Sequence, residues 1–177
     1  MLLWHLLSIS FYEIAAEALR CYSCASAEYR MLLDRSSSFG RTVRNPPHFD
    51  RFCDSEESIK AIAPMEPCMS TCITVYEPQF FGGLQSVNRP FLFIRGCADR
   101  IFESMTIRPR EIDFLHQAPI CVSLHMSDIY PHVQANEVVK VCSCTDNGCN
   151  YRTSAVNTAL HTTMHIFILI LLFIYLY

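Results

Sequence analysis

Ten cysteines are the residues of this 177-residue chain with the most chemistry to offer. Two stand as Cys21-x-x-Cys24. Three more crowd into Cys142-Ser143-Cys144-Thr145-Asp146-Asn147-Gly148-Cys149-Asn150. A C-x-x-C pair suits a redox site or half of a zinc site, whereas an even, dense set in an oxidising compartment reads as five disulfides. No βαβ pattern surrounds Cys21 and Cys24, which argues against thioredoxin-like chemistry. Other ligand and nucleophile types are dispersed. Of the seven histidines, His5, His161 and His165 lie in the terminal segments, and His48, His116, His125 and His132 are single and scattered. The chain has no G-x-S-x-G, H-E-x-x-H, P-loop or dinucleotide-binding fingerprint. No catalytic residue, metal-ligand set or cofactor is expected on this pattern. The choice between zinc and disulfides falls to the ends of the chain.

Both ends read as processing signals. Met1 to Tyr12 are mostly apolar and run into Ala15-Ala16-Glu17-Ala18, where Ala16 and Ala18 hold the small-residue positions of a signal-peptide cleavage site. Residues 1–18 are thus expected to be a signal peptide cut after Ala18. An ordinary N-terminal helix is the competing reading, since the segment has no early Lys or Arg and carries Glu13. At the other end, Thr153 to Tyr177 contain no Asp, Glu, Lys or Arg, and the last twelve residues, Ile166 to Tyr177, are all apolar. Twelve residues of helix rise about 18 Å, against a hydrocarbon core of about 30 Å. Small residues, a polar spacer (Leu160 to His165) and an apolar end together form the signal for a glycosylphosphatidylinositol (GPI) anchor. Asn157 is favoured as the attachment residue because Ala159 is small two positions on. Ser154 is the alternative, with a longer spacer but a bulky Val156. A short tail anchor competes with this reading. The division expected is residues 1–18 signal peptide, 19–150 folded domain, 151–157 stalk and 158–177 removed propeptide. Such a chain resides on the extracellular face of the plasma membrane, where disulfides are the default.

Formal net charge is −3, and the expected cut leaves 15 acids against 14 bases. Twelve of the bases are Arg, scattered rather than run together. This excludes nucleic-acid binding and polybasic membrane attachment as expectations.

The elements that must hold the cysteines are short. Ala25 to Phe52 carries five arginines and Asn45-Pro46-Pro47, which forbids helix there. It reads as two extended arms around a mobile tip. Arg41 and Arg44 are candidate contacts for an acidic partner, or simply solvated. Ser55-Glu56-Glu57-Ser58 starts a helical turn with Ser55 as cap, stopped by Pro64 and Pro67. Cys72 to Glu77 and Phe91 to Cys97 are strands by composition and form a hairpin with a long tip around Gly82-Gly83. On that tip Phe80 and Phe81 are either an exposed recognition patch or fold back onto the hairpin. Ala98 to Ile120 carries alternating charges broken by Pro109, with a short helix expected from Asp99 to Met105. Cys121 to Met126 alternates as a strand, with Glu137 to Cys142 as its partner.

Three motifs carry a resemblance: Leu19-Arg20-Cys21-Tyr22-Ser23-Cys24, Phe93-Ile94-Arg95-Gly96-Cys97-Ala98, and Val141-Cys142-Ser143-Cys144 followed by Cys149-Asn150. Together they resemble the lymphocyte antigen 6 / urokinase receptor family over Leu19 to Asn150; longer variants resembling this chain occur among invertebrate neuronal members, including the nematode olfactory-behaviour and quiver/sleepless groups. The resemblance implies a small, disulfide-rich, all-β three-finger (LU) domain with long loop insertions. It implies the pairs Cys21–Cys72, Cys24–Cys53, Cys68–Cys97, Cys121–Cys142 and Cys144–Cys149. It also implies that the Asn150 side chain ties the last loop to the first strands. Two departures stand out. Ser143 separates two cysteines that are adjacent in the family, which should relax the local geometry. Extra length lies between Cys24 and Cys53 and between Cys97 and Cys121. A flat hairpin sheet has little core and depends on cross-links.

The function expected is that of a GPI-anchored extracellular binding module, not an enzyme, which modulates a membrane receptor, ion channel or neuronal signalling partner. The alternatives are an adhesion or secretory-pathway trafficking factor and a soluble toxin-like ligand or inhibitor.

Overall fold

The computed structural model describes residues 18–34, 47–105, 107–131, 133 and 136–152. The expected leader apart from Ala18 lies outside these residues, as do Arg41, Arg44 and the first-finger tip, and both attachment residues, Ser154 and Asn157.

The strands are β1 (Leu19–Tyr22), β2 (Cys24–Ala25), β3 (His48–Phe49), β4 (Met65–Cys68), β5 (Cys72–Pro78), β6 (Phe80–Phe81), β7 (Leu84–Gln85), β8 (Phe91–Cys97), β9 (Cys121–His125) and β10 (Val138–Cys144). A six-stranded sheet has the order β3-β2-β8-β5-β10-β9, and β1-β4 and β6-β7 form two smaller sheets. All pairs are antiparallel except β2 with β3. β5 and β8 match Cys72 with Cys97 at one end and Pro78 with Phe91 at the other. The short β6-β7 ribbon extends this hairpin into the tip.

Strand alternation divides the large sheet into two unlike faces. Ile73 and Val75 of β5, Leu92 and Ile94 of β8, and Val139 and Val141 of β10 point to one side, into the main core. The intervening residues point to the other. There the register stacks Cys72, Cys97 and Cys144 in one row and Thr74, Arg95 and Cys142 in the next. Tyr76 and Phe93 follow, against Phe91 in edge and tilted contacts.

Where it is described, the extra length is partly helical, and the sheet does not lack a core. Between β8 and β9 the chain forms α3 (Ala98–Ile101) and α4 (Arg110–Leu115), and after β9 it forms α5 (Met126–Ile129). Ile101, Phe102, Met105, Ile112, Leu115, Met126, Ile129 and Tyr130 cover the apolar face of the sheet as a second layer. Each large apolar side chain so buried contributes roughly 1.5–3 kcal/mol. The helix expected over Asp99 to Met105 closes after one turn. The unforeseen α4 begins just past Pro109, whose extended backbone (φ −62°, ψ 154°) places it as the residue leading into a helix. Ile112 and Leu115, three apart, face the sheet.

The first finger also departs from two extended arms. α1 (Tyr29–Asp34) occupies the first arm, with Tyr29 buried and its hydroxyl donating to Glu77 Oε2 at 2.5 Å. α2 (Glu56–Ile62) starts after Ser55, whose hydroxyl makes no capping bond; Glu56 and Glu57 complement the helix dipole instead. It ends at Ala63, held extended (ψ 136°) by the following Pro64.

Candidate functional site

The ten cysteines form five bridges: Cys21–Cys72, Cys24–Cys53, Cys68–Cys97, Cys121–Cys142 and Cys144–Cys149. The structure thus brings together the residues that the resemblance pairs. Cys21, Cys68, Cys72 and Cys97 pack as one buried cluster at the palm, with Cys144 and Cys149 against it. Cys68, Cys97 and Asp99 lie close enough to hold a cation, but the two sulfurs are bonded to each other and offer no thiolate.

Beside the palm, the terminal loop continues the small sheet by side-chain chemistry. Gly148 turns the chain in a left-handed conformation (φ +61°), and a Cβ there would meet the Tyr22 ring at 3.0 Å. Arg20 N donates to Asn147 Oδ1 (2.8 Å), and Gly148 N donates to Arg20 O (2.7 Å). Asn150 accepts from Tyr22 N (3.0 Å) and donates to Tyr22 O (2.9 Å) and Ile73 O (3.2 Å). β1 is thereby held between β4 and a loop that imitates a strand.

Arg95, only 1% exposed, sits under the same loop. Its Nη1 donates to Asn150 O (2.5 Å) and Arg152 O (2.8 Å), its Nε donates to Cys53 O (3.3 Å), and the guanidinium lies 4.5 Å from the Phe93 ring centre. Burial lowers it to about 10, so it stays charged at neutral pH. Three carbonyls from two segments converge on one cation. Thr74 Oγ1 and Tyr76 OH also donate to Asn150 O and Arg152 O.

Ser143 is buried on the core face of β10, opposite Cys142 and Cys144. Its hydroxyl donates to Ala118 O (2.5 Å) and accepts from Ile120 N (3.0 Å), while Ser143 N donates to Ile120 O (2.8 Å). It fastens the end of the helical layer rather than relaxing the strand.

The hairpin tip is the opposite case. Phe80 is 64% exposed, Phe81 87%, Leu84 77% and Val87 93%. Neither phenylalanine folds back. Gly82 and Gly83 turn the tip with positive φ (60° and 82°), and a Cβ at either would meet nothing within 4 Å. At the base of the tip, Arg89 pairs with Glu28 of the first finger and with Asp54. The hydrogen bond from Arg89 holds the Glu28 carboxyl below its ordinary range, and Arg89 is raised in turn. Ser26 Oγ donates to Asp54 and accepts from Phe93 N at 2.8 Å, which ties this network into β8.

Sequence reasoning found the cysteines, Asn150 and the tip. It missed the roles of Arg95, Ser143 and Arg89. For Arg95 a signal existed: in Phe91-Leu92-Phe93-Ile94-Arg95 the charge falls at the same parity as two phenylalanines.

Residues 24–151 match a family model described as Caenorhabditis elegans ly-6-related protein. Neither a curated protein nor a solved structure matches the chain.

Proposed function

This chain belongs to the Ly-6-related family, and from that membership we propose that it is a GPI-anchored extracellular binding module that modulates a membrane receptor, ion channel or neuronal signalling partner. The family is one of small disulfide-rich extracellular binding domains, and the chain is built as one. The observation that carries the reading is the exposed, uncharged tip with Phe80 and Phe81, presented by a hairpin cross-linked at its far end. A rigid finger loses little conformational freedom on binding, so its apolar tip is a favourable contact for a partner in the same membrane. The apolar end of the sequence supports the anchor, with Asn157, or Ser154, as the attachment residue.

GPI-specific phospholipase C should release the protein from intact cells expressing the full chain; retention after treatment overturns the anchor. Current recordings from cells co-expressing the chain with panels of receptors and channels test the modulation. A change that disappears with Phe80→Ser/Phe81→Ser supports it. Protein held largely inside the cell, with the partner's surface level falling on its loss, favours the trafficking role instead.

A further inference from the structure

The five bridges differ in how a thiolate from outside can reach them. Cys21, Cys24, Cys53, Cys68, Cys72 and Cys97 are at most 2% exposed, which shuts three bridges inside the domain. Cys144–Cys149 is half-buried, but it packs against the palm cluster and closes only 5 residues of sequence. Cys121–Cys142 is half-buried too, and it lies on the edge strand of the six-stranded sheet. On β9 Val122 and Leu124 go to the core, while Cys121, Ser123 and His125 take the opposite face. Ser123 and His125 are exposed there. A reductant can therefore approach Cys121 from the open face of an edge strand.

Strand pairing makes this same bridge dispensable and holds it at an unfavourable distance. Cys121 and Cys142 are direct partners in the β9–β10 ladder. Ser143 N donates to Ile120 O and Met126 N donates to Glu137 O, so the alternation of ladder bonds leaves Cys121–Cys142 as a pair without them. Such pairs hold their Cα atoms about 4.5 Å apart, whereas a disulfide is most at ease at about 5.5–6 Å. Here the Cα atoms are 4.1 Å apart, the shortest such distance among the five bridges. The pairing opposes the bond, and breaking the bond relieves the backbone while the ladder remains. Leu124 of β9, with Met126 and Ile129 just after it, stays in the main core, and the Ser143 hydroxyl still accepts from Ile120 N. Reduction removes the cross-link without separating the strands that it joins.

We propose that Cys121–Cys142 is a reducible bridge, opened outside the cell by a protein dithiol through thiol–disulfide exchange while the other four bridges stay closed. This goes beyond the binding reading above and rests on it only for the extracellular location. One thiolate of the dithiol attacks Cys121 Sγ on the edge strand, and the Cys121–Cys142 bond breaks as a mixed disulfide forms. The electron pair leaves on Cys142, where Lys140, two residues away on the same face of β10, favours the thiolate. The second thiolate of the dithiol then attacks its partner sulfur in the mixed disulfide and releases Cys121. Two electrons pass to the bridge, the dithiol ends as a disulfide, and its two protons end on Cys121 and Cys142. The β9–β10 finger loses its covalent tie, and the sheet edge gains two thiols.

The test expresses the full chain through the secretory pathway of cultured cells and purifies it from membrane or medium alike, so the result does not depend on the anchor. Reduced thioredoxin is the dithiol probe. One alkylating label blocks thiols as they appear; a second, isotopically distinct label marks the rest after denaturation and full reduction. Peptide mass spectrometry should find the first label on Cys121 and Cys142 at least about tenfold above each of the other cysteines. A thioredoxin whose second active-site cysteine is replaced by serine stops at the mixed disulfide and should be trapped on Cys121. Cys121→Ala/Cys142→Ala should be secreted with four closed bridges and with wild-type hydrogen exchange in β5 and β8. First label absent, spread evenly or concentrated on another bridge overturns the proposal, as does a trap on any other cysteine. So does an alanine variant whose remaining bridges mispair, since the bridge would then be needed for the fold. If selective reduction is found and no receptor or channel responds, the modulation reading falls and the redox site stands; modulation without selective reduction does the reverse.

Discussion

At the scale of single residues, two side chains do the work of backbone. The Asn150 carboxamide offers Tyr22 an acceptor and a donor, the pattern a neighbouring peptide group would offer. Asn150→Asp keeps the shape and removes the donor, leaving Tyr22 O and Ile73 O without it. The expected loss is about 1–3 kcal/mol by urea unfolding. The introduced carboxylate is buried beside carbonyl oxygens, so its folded pKa should lie above the unfolded value. The loss should therefore shrink as pH falls, and a pH-independent loss would contradict this account. Arg95 gathers carbonyls that are far apart in sequence. A lysine ammonium cannot span them, so Arg95→Lys should destabilise by roughly 1–3 kcal/mol and speed hydrogen exchange around Asn150; wild-type exchange there would argue against the clamp.

At the scale of elements, alternation in β10 decides which face each bridge occupies. Deleting Ser143 shifts one side of the strand by a residue and turns Cys144 toward the core face, away from Cys149. Mapping of disulfides by mass spectrometry should then find free or mispaired thiols at Cys144 and Cys149, although adjacent cysteines are the family's habit. The tip latch responds to acid. Arg89 lowers the Glu28 carboxyl in the folded state, so its contribution is present above the ordinary glutamate pKa and lost as pH falls through the lowered folded value. Glu28→Gln should flatten that part of the stability curve. The group is well exposed, so the effect should stay below about 1 kcal/mol and diminish in salt. These elements also mark what was legible beforehand. β5, β8 and β10 are rich in β-branched and aromatic residues and β9 alternates, so all four could be read directly. In Ala98 to Leu115 only the first helical turn could be anticipated, because the buried residues are spaced for single turns, too short for a periodic pattern to emerge. Tyr29–Asp34 was hidden in the same way. Ser143 was misjudged because a serine inside a strand reveals no direction until the strand's register is known.

At the scale of the molecule, the cross-links and the core occupy opposite faces of one sheet. Removing Cys21–Cys72, which closes 51 residues of sequence, should cost roughly 4 kcal/mol, whereas removing Cys144–Cys149, which closes 5, should cost roughly 2 kcal/mol. Alanine pairs compared by urea unfolding test this; equal losses would show that the terminal loop supports the whole domain. The helical layer makes a separate contribution. Phe102→Ala empties a fully buried site and should cost about 3–5 kcal/mol without altering the bridges. The clamp at Arg152 also has a mechanical meaning. A pull on the chain at that point is taken up first by Arg95 and Asn150, whose bonds lead into β8, β5 and β1 together. The Cys144–Cys149 link then passes the load to β10 as a covalent strut. Force spread over four strands must shear them jointly, so a domain held at this end resists being peeled open by drag on whatever its fingers grasp.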